Sequence, residues 1–339
     1  MLSSLLGWSL NLNIWLKLIV LIVFIVGGMV LLIKGADGFV SGASGVAKKL
    51  KIPAIIIGLT IVSIGTSLPE ASVSLSSALN GSSDISIGNI VGSNMFNLLV
   101  VLGFSLVFVP IILNRKVVIK DFLIMIISTL LLLLFAFVNI GGGNQTLSRI
   151  ECGILFVLFI AYIVWSIIDA RKNKTEEENA DETNKVNSMP KNILFLVLGL
   201  LGIVIGGDLV VFGAQNFAIQ VGMSEVLVGL TIVAVGTSLP ELVTSIIAAK
   251  KGEKDIALGN VIGSSTFNIL FIIGLTGLVS PLAVSAKAMI DIIIVSVVFI
   301  AFFVYSLIKN KLPKYLGYIM IVMYIIYLTY IILRDFVLA

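Results

Sequence analysis

Two glutamates, Glu70 and Glu241, lie deep inside long apolar stretches of the sequence. An ionisable side chain at membrane depth costs at least about 2.5 kcal/mol unless it is paired or lines a wet cavity. Each glutamate directly follows a proline, Pro69 or Pro240. A proline ring lacks an N–H and clashes with the carbonyl one turn earlier, so each helix should kink or break there and free backbone oxygens. Carboxylate and carbonyl oxygens are the ligands that hard cations prefer.

Further oxygen-bearing side chains recur at helical spacing. Thr66 and Thr237 each lie one turn before a glutamate. In a second pair of segments, polar residues recur every four positions on an otherwise apolar helix: Asn89, Ser93 and Asn97, then Asn260, Ser264 and Asn268. Such a stripe either lines an ion site or forms a packing interface with interhelical hydrogen bonds. For Asn89 and Asn260 a structural role stands as the alternative.

The composition indicates an integral membrane protein. Of 339 residues, 59% are hydrophobic and only 12% are charged, which is about half the charge of an ordinary soluble domain. A soluble enzyme, a nucleic-acid binder and a disordered chain are thereby disfavoured. The absence of histidine and the single cysteine, Cys152, leave no usual zinc, haem or copper ligand set and no disulfide. An enzyme is not expected, because no nucleophile–base pair stands out, and no cofactor is predicted.

Hydropathy predicts an all-α membrane protein with ten transmembrane helices. Since a span needs about 20 apolar residues, the predicted extents are 14–38, 53–80, 85–110, 117–139, 149–170, 192–216, 224–249, 255–280, 288–308 and 315–334. If the connections alternate sides, 17 of the 22 Lys and Arg residues collect on one side. The positive-inside rule then places both termini outside the cell. We therefore expect a multi-pass protein of the cell membrane, with lipid as its surroundings.

The two halves of the chain repeat each other at a constant offset. Gly58–Glu70 and Gly229–Glu241 differ at only two positions, and Gly88–Asn97 and Gly259–Asn268 are identical at six of ten positions. Because five helices is an odd number, the second repeat should enter the membrane inverted, which is typical of secondary transporters. The predicted organisation is a first repeat at 14–170, a polar cytoplasmic linker at 171–191 and a second repeat at 192–334.

The repeated segments resemble those of a known transporter family. The paired GTSLPE and GNxxGSxxFN strings are similar to the two alpha repeats of prokaryotic sodium/calcium exchangers, in the calcium/cation antiporter superfamily. The resemblance implies side-chain contacts to Ca²⁺ and Na⁺ from Thr66, Ser67, Glu70, Ser93, Asn97, Thr237, Ser238, Glu241, Ser264 and Asn268, and backbone contacts from Ser63 and Ala234. Ser67 and Ser238 rest mainly on this resemblance.

Two departures from relatives qualify the resemblance. Some archaeal members and the potassium-dependent branch have aspartate where this chain has Asn268, so the asparagine argues against potassium co-transport. Animal exchangers insert large calcium-sensing domains between the halves, whereas the connection here is the short linker at 171–191. Regulation by such domains is therefore not expected.

The leading hypothesis is a secondary-active antiporter that exchanges sodium for calcium by alternating access at a midplane acidic site. Two carboxylates neutralise one divalent ion or two monovalent ions, so the two substrates would compete for one cluster. A proton/calcium antiporter of the same fold is the alternative, because carboxylates also bind protons. A passive cation channel is a further possibility that the inverted repeat disfavours. No nucleic acid and no obligate protein partner are expected.

Overall fold

The computed structural model is almost entirely helical. It describes residues 6–113, 115–138, 145–172, 187–222, 234–309 and 311–337. After a short 3₁₀ turn at Gly7–Asn11, the helices are α1 (Ile14–Leu50), α2 (Ala54–Thr66), α3 (Leu68–Leu79), α4 (Ser83–Phe108), α5 (Arg115–Val138), α6 (Arg149–Lys172), α7 (Met189–Gln220), α8 (Ala234–Thr237), α9 (Leu239–Lys250), α10 (Lys254–Val279), α11 (Ala286–Ile308) and α12 (Lys314–Val337).

Four two-residue strands qualify the all-α prediction. They are β1 (Ile111–Ile112), β2 (Thr146–Leu147), β3 (Leu282–Ala283) and β4 (Lys311–Leu312). Strand β1 pairs antiparallel with β4, and β2 pairs antiparallel with β3. Each pair joins a connection in the first half of the chain to one in the second half.

Within the described ranges, eight helices are long and apolar enough to cross a membrane: α1, α4, α5, α6, α7, α10, α11 and α12. Helices α2 and α3 together form one further candidate span, bent by 47° at their junction. The predicted span 224–249 falls partly on residues 223–233, which lie outside the described residues, and α8 and α9 occupy its remainder. The count of ten therefore stays a prediction.

The helices are longer than some of the predicted apolar spans, most clearly at the end of α1. The span predicted at 14–38 continues as α1 to Leu50, and the span predicted at 192–216 is α7, Met189–Gln220. Hydropathy detects the stretch inside the hydrocarbon, whereas the helix continues as long as it finds a packing partner. The end of α1 finds one, because Phe39, Ala43 and Ala47 are buried there. Helices α6 and α7 also extend into the predicted linker 171–191, to Lys172 and from Met189.

Helices α1 and α7 pack against each other along a seam of glycines and run antiparallel. A Cβ placed on Gly28 would lie 2.8 Å from the Gly206 carbonyl oxygen, and one on Gly35 would lie 2.8 Å from the Gly199 carbonyl oxygen. Only glycine permits so close a backbone approach. The seam repeats every seven residues on both helices, at Gly28, Gly35, Gly42, Gly199, Gly206 and Gly213.

The repeated polar segments lie at the centre of the molecule. Helices α4 and α10 are the most deeply buried candidate spans, with 83% and 94% of their most apolar stretch inside the protein. The outer helices α1, α6, α7 and α12 instead expose apolar side chains, for example Val23, Val157, Val197 and Ile326. In a membrane protein these surfaces face lipid tails. The polar stripes on α4 and α10 are therefore shielded from lipid.

Candidate cation-binding site

The predicted helix breaks are present in both halves of the chain. Helix α2 ends at Thr66, Ser67 adopts φ −87° and ψ 10°, and α3 begins at Leu68 with a proline in its first turn. Ser238 takes nearly the same conformation, φ −93° and ψ 5°, between α8 and α9. Each glutamate therefore lies in the first turn of a new helix, where the helix dipole favours negative charge.

The two halves exchange hydrogen bonds at these breaks. Ser67 Oγ donates to Glu241 Oε1 at 2.7 Å, and Ser238 Oγ donates to Glu70 Oε1 at 2.9 Å. All four side chains have no solvent exposure. The serine of each break thus holds the carboxylate of the other half, and both glutamates belong to one cluster.

The polar stripes complete this cluster from α4 and α10. Ser93 Oγ lies 3.4 Å from Glu70 Oε1 and 3.1 Å from the Ser238 hydroxyl. Ser264 Oγ lies 3.4 Å from the carbonyl oxygen of Ser63, which is one of the two predicted backbone ligands. Hydroxyls from both stripes therefore contact the chain around the breaks.

Asn89 and Asn260 hold the first turns of the glutamate helices in place. Asn89 Nδ2 donates to the Glu70 carbonyl oxygen at 3.2 Å and to Ser74 Oγ at 2.9 Å. Asn260 Nδ2 makes the equivalent bonds in the second half, to the Glu241 carbonyl at 3.5 Å and to Ser245 Oγ at 2.9 Å. Each amide nitrogen thus binds the backbone carbonyl of a glutamate, and the structural alternative for Asn89 and Asn260 stays a prediction.

The two predicted threonines lie at the ends of the helices that lead into the breaks, Thr66 at the end of α2 and Thr237 at the end of α8. Thr66 Oγ1 lies 3.1 Å from each of two acceptors, Val62 O and Asn260 Oδ1, and can donate its one hydrogen to either. The break at Ser67 lies between Thr66 and the helix that carries Glu70, and the expectation that the two side chains share one helix face stays a prediction. Thr237 is buried at the end of α8, and Ala234 is the first residue of that helix.

Several buried oxygens in this cluster have no hydrogen-bond partner among the described residues. They include the second carboxylate oxygen, Oε2, of both Glu70 and Glu241 and the amide oxygens of Asn97 and Asn268. Buried polar atoms are normally hydrogen-bonded, so these unpaired oxygens are available to bind a cation. These atoms come from both halves of the chain, and all belong to the predicted ligand set.

The last asparagine of each polar stripe, Asn97 or Asn268, marks a local change in helix type. Asn97 begins a π-helical segment, Asn97–Leu102, and Asn268 begins the equivalent segment, Asn268–Ile273. A third π-helical segment, Gly58–Val62, precedes the first break. Such widened turns are frequent at functional sites because they free backbone groups and redirect side chains. Hydrophobic periodicity alone does not reveal them.

A family profile matches nearly the whole chain. The family described as sodium/calcium exchanger protein matches residues 20–168 and 191–333. The chain belongs to the sodium/calcium exchanger family. The two matched regions leave out the polar connection between α6 and α7.

Individual relatives of this exchanger agree with the family match. CaxA of Alkalimonas amylolytica, a putative antiporter by name, is 40% identical over 275 residues, covering 80% of this chain and 84% of CaxA. The sodium/calcium exchanger MaX1 of Methanosarcina acetivorans is 34% identical over 293 residues, covering 77% and 84%. The structure of the sodium/calcium exchanger from Methanococcus jannaschii superposes with a TM-score of 0.78 at 28% identity, covering 92% of this chain and 98% of that one.

The exchanger is therefore a multi-pass membrane transporter of the sodium/calcium antiporter type, and the predicted family is confirmed. Its buried cluster offers oxygen atoms of three kinds: carboxylates, hydroxyls and amides. Calcium accepts six to eight oxygens in flexible geometry, whereas magnesium demands a tight octahedron. The cluster suits a hard cation that gives up its waters readily, and the predicted ligand set contains neither nitrogen bases nor thiolates to bind a softer metal.

Proposed function

We propose that this protein exchanges Na⁺ for Ca²⁺ by alternating access through the cluster around Glu70 and Glu241. The observation that carries the proposal is the pair of crosswise bonds, Ser67 to Glu241 and Ser238 to Glu70. They join two carboxylates from different halves into one site while leaving an oxygen of each without a partner among the described residues. Two charges in one site balance one Ca²⁺ or two Na⁺, so the ions compete.

The ligands that we propose are those of the predicted set. They are the side chains of Thr66, Ser67, Glu70, Ser93, Asn97, Thr237, Ser238, Glu241, Ser264 and Asn268, and the backbone oxygens of Ser63 and Ala234. Burial supports the assignment, because ten of these residues are at most 3% exposed. With an amide at position 268 the site carries no third carboxylate, which favours sodium and calcium without potassium.

We propose two inverted five-helix repeats, with both termini outside, as the architecture of transport. Helices α1 and α7 are counterparts in the alignment of the two halves, and they run antiparallel along their glycine contacts. Antiparallel counterparts are what an inverted repeat requires. The excess of Lys and Arg on one side of the predicted topology supports a cytoplasmic linker.

Flux through sealed liposomes tests the proposal. Purified protein is reconstituted into vesicles loaded with sodium, and calcium-45 uptake is followed after dilution into sodium-free buffer. We expect uptake only when internal sodium is present. Uptake driven by a pH gradient without sodium would instead make the protein a proton/calcium antiporter. Calcium flux with no counter-ion, in potassium-loaded vesicles, would make it a channel.

Removing one crosswise bond should weaken calcium binding without unfolding the protein. Ser67→Ala and Ser238→Ala each take a hydrogen-bond donor from a carboxylate and an oxygen from the site. Since a bond to a charged group contributes about 1.5–3 kcal/mol, we expect the half-saturating calcium concentration to rise at least tenfold.

Calcium-dependent uptake curves of both variants measure the effect, and Ser296→Ala is the matched control. Ser296 is a buried serine in α11 whose hydroxyl donates to the Ile292 carbonyl within its own helix at 2.7 Å. The control should keep the native calcium dependence. Equal calcium dependence in all three variants would contradict the assignment of the serines.

A further inference from the structure

Asn94 connects the two halves of the chain next to the proposed ion site. It lies on α4, between the predicted ligands Ser93 and Asn97, and is 1% exposed. Its Nδ2 donates to the carbonyl oxygen of Ser265 on α10 at 3.2 Å, and its Oδ1 accepts from Asn268 Nδ2 at 3.0 Å. Ser265 is the counterpart of Asn94 in the alignment of the two halves.

These two bonds fix the orientation of the Asn268 amide. A backbone carbonyl only accepts, so Asn94 must turn its nitrogen toward Ser265 and its oxygen toward Asn268. Asn268 must then present its own nitrogen to Asn94. Its oxygen, Oδ1, is left on the opposite side of the amide, buried and without a partner among the described residues. Because a cation binds the amide oxygen and not the nitrogen, this is the orientation that binding requires.

The first half of the chain lacks an equivalent arrangement. Ser265 stands where Asn94 would be repeated, and its hydroxyl donates to the Val261 carbonyl within its own helix at 2.9 Å. Neither amide atom of Asn97 has a hydrogen-bond partner in the described part of the chain. A neighbouring side chain therefore orients the amide of Asn268, whereas the amide of Asn97 has no such bond among the described residues.

We infer that Asn94 is a positioning residue that aims the side-chain oxygen of Asn268 at the transported cation and makes position 268 selective for a neutral ligand. An ionised aspartate at 268 would set a carboxylate oxygen against the Asn94 oxygen, where neither atom can donate. The inference rests on the proposed function, and it assigns Asn94 a role in substrate affinity beyond its contact between helices.

A double-mutant cycle on calcium affinity tests this role. The variants are Asn94→Leu, Asn268→Ala and the double substitution, with Ser265→Ala as the matched control at the counterpart position. Loss of a residue that orients a metal ligand typically lowers metal affinity about 10–100-fold. We expect Asn94→Leu to raise the half-saturating calcium concentration at least about tenfold, with little change in the maximal rate. The control should keep the native value.

The cycle separates positioning from general packing. If Asn94 acts through Asn268, Asn94→Leu adds little in the Asn268→Ala background, because the ligand it orients is already gone. An equal loss of affinity in both backgrounds would overturn the inference, as would unchanged affinity in Asn94→Leu.

Asn268→Asp provides a second measurement that does not depend on the folding of Asn94→Leu. Although a carboxylate adds negative charge to a cation site, we expect no gain in calcium affinity while Asn94 is present. A clear gain would overturn the inference. Absence of sodium-driven uptake by the native protein would instead refute the proposed function, so the two failures are distinguishable.

Discussion

Glu70→Gln and Glu241→Gln should each reduce sodium-driven calcium uptake at least about 100-fold. The two carboxylates are the only charged groups in the proposed ligand set, and both are fully buried. Each substitution takes a negative charge away from the bound cation. Removing one partner of a buried ion pair costs about 3–5 kcal/mol, and each 1.4 kcal/mol corresponds to about a factor of ten in affinity. Glutamine keeps the size of the side chain and can still accept the serine hydrogen bond, so the fold should persist.

The measurement is calcium-45 uptake in sodium-loaded liposomes, with size-exclusion chromatography to check folding. Glu151→Gln is the matched control, because Glu151 is also fully buried but lies in α6, where its Oε2 accepts from the Ser148 amide at 2.7 Å. The control should transport at the native rate. If both site variants also transport at the native rate, Glu70 and Glu241 are not the ion ligands.

Gly206→Ala should destabilise the protein, whereas Gly207→Ala should not. A Cβ at Gly206 would lie 2.5 Å from the Leu32 amide nitrogen and 2.7 Å from the Gly28 carbonyl oxygen. These are backbone atoms of α1, so the helices would have to separate. Overpacking of a tight contact costs about 1–3 kcal/mol even where side chains can adjust. At Gly206 the nearest atoms belong to the backbone, so no side chain can move aside.

Gly207 is the matched control because it is the next residue on the same helix. A Cβ there would lie 3.6 Å from Pro240 Cγ, which is ordinary van der Waals contact. Thermal unfolding of the two variants in detergent, followed by fluorescence-detected size-exclusion chromatography, gives the comparison. Equal melting temperatures would show that α1 and α7 are not packed along this seam.

The positions of the functional segments could be predicted from the sequence because local chemistry determines them. Pro69 breaks its helix wherever it lies, since its missing N–H and its ring act within one turn. The burial of Glu70 also follows from its apolar neighbours. The membrane class and the family were equally accessible, because composition and the repeated motifs do not depend on tertiary contacts.

The contacts between the halves could not be predicted from spacing. The residues in the Ser67–Glu241 bond are 174 positions apart, and nothing in either segment alone shows that they meet. The resemblance named Ser67 as a ligand, but it did not indicate the crosswise pairing. Asn94 does not stand out in the sequence, because the role proposed for it depends on the orientation of Asn268, which a sequence does not encode locally. The one sign of it in the sequence is that Ser265 stands at the counterpart position in the second repeat.

The crosswise bonds also bear on how the two halves have diverged since the duplication that their similarity indicates. A residue that serves only its own half can change in one copy without consequence for the other. Ser67 and Ser238 each serve the opposite copy's glutamate, so the loss of either serine damages a residue in the half that did not mutate. The same serine and the same glutamate accordingly stand in both copies of the segment.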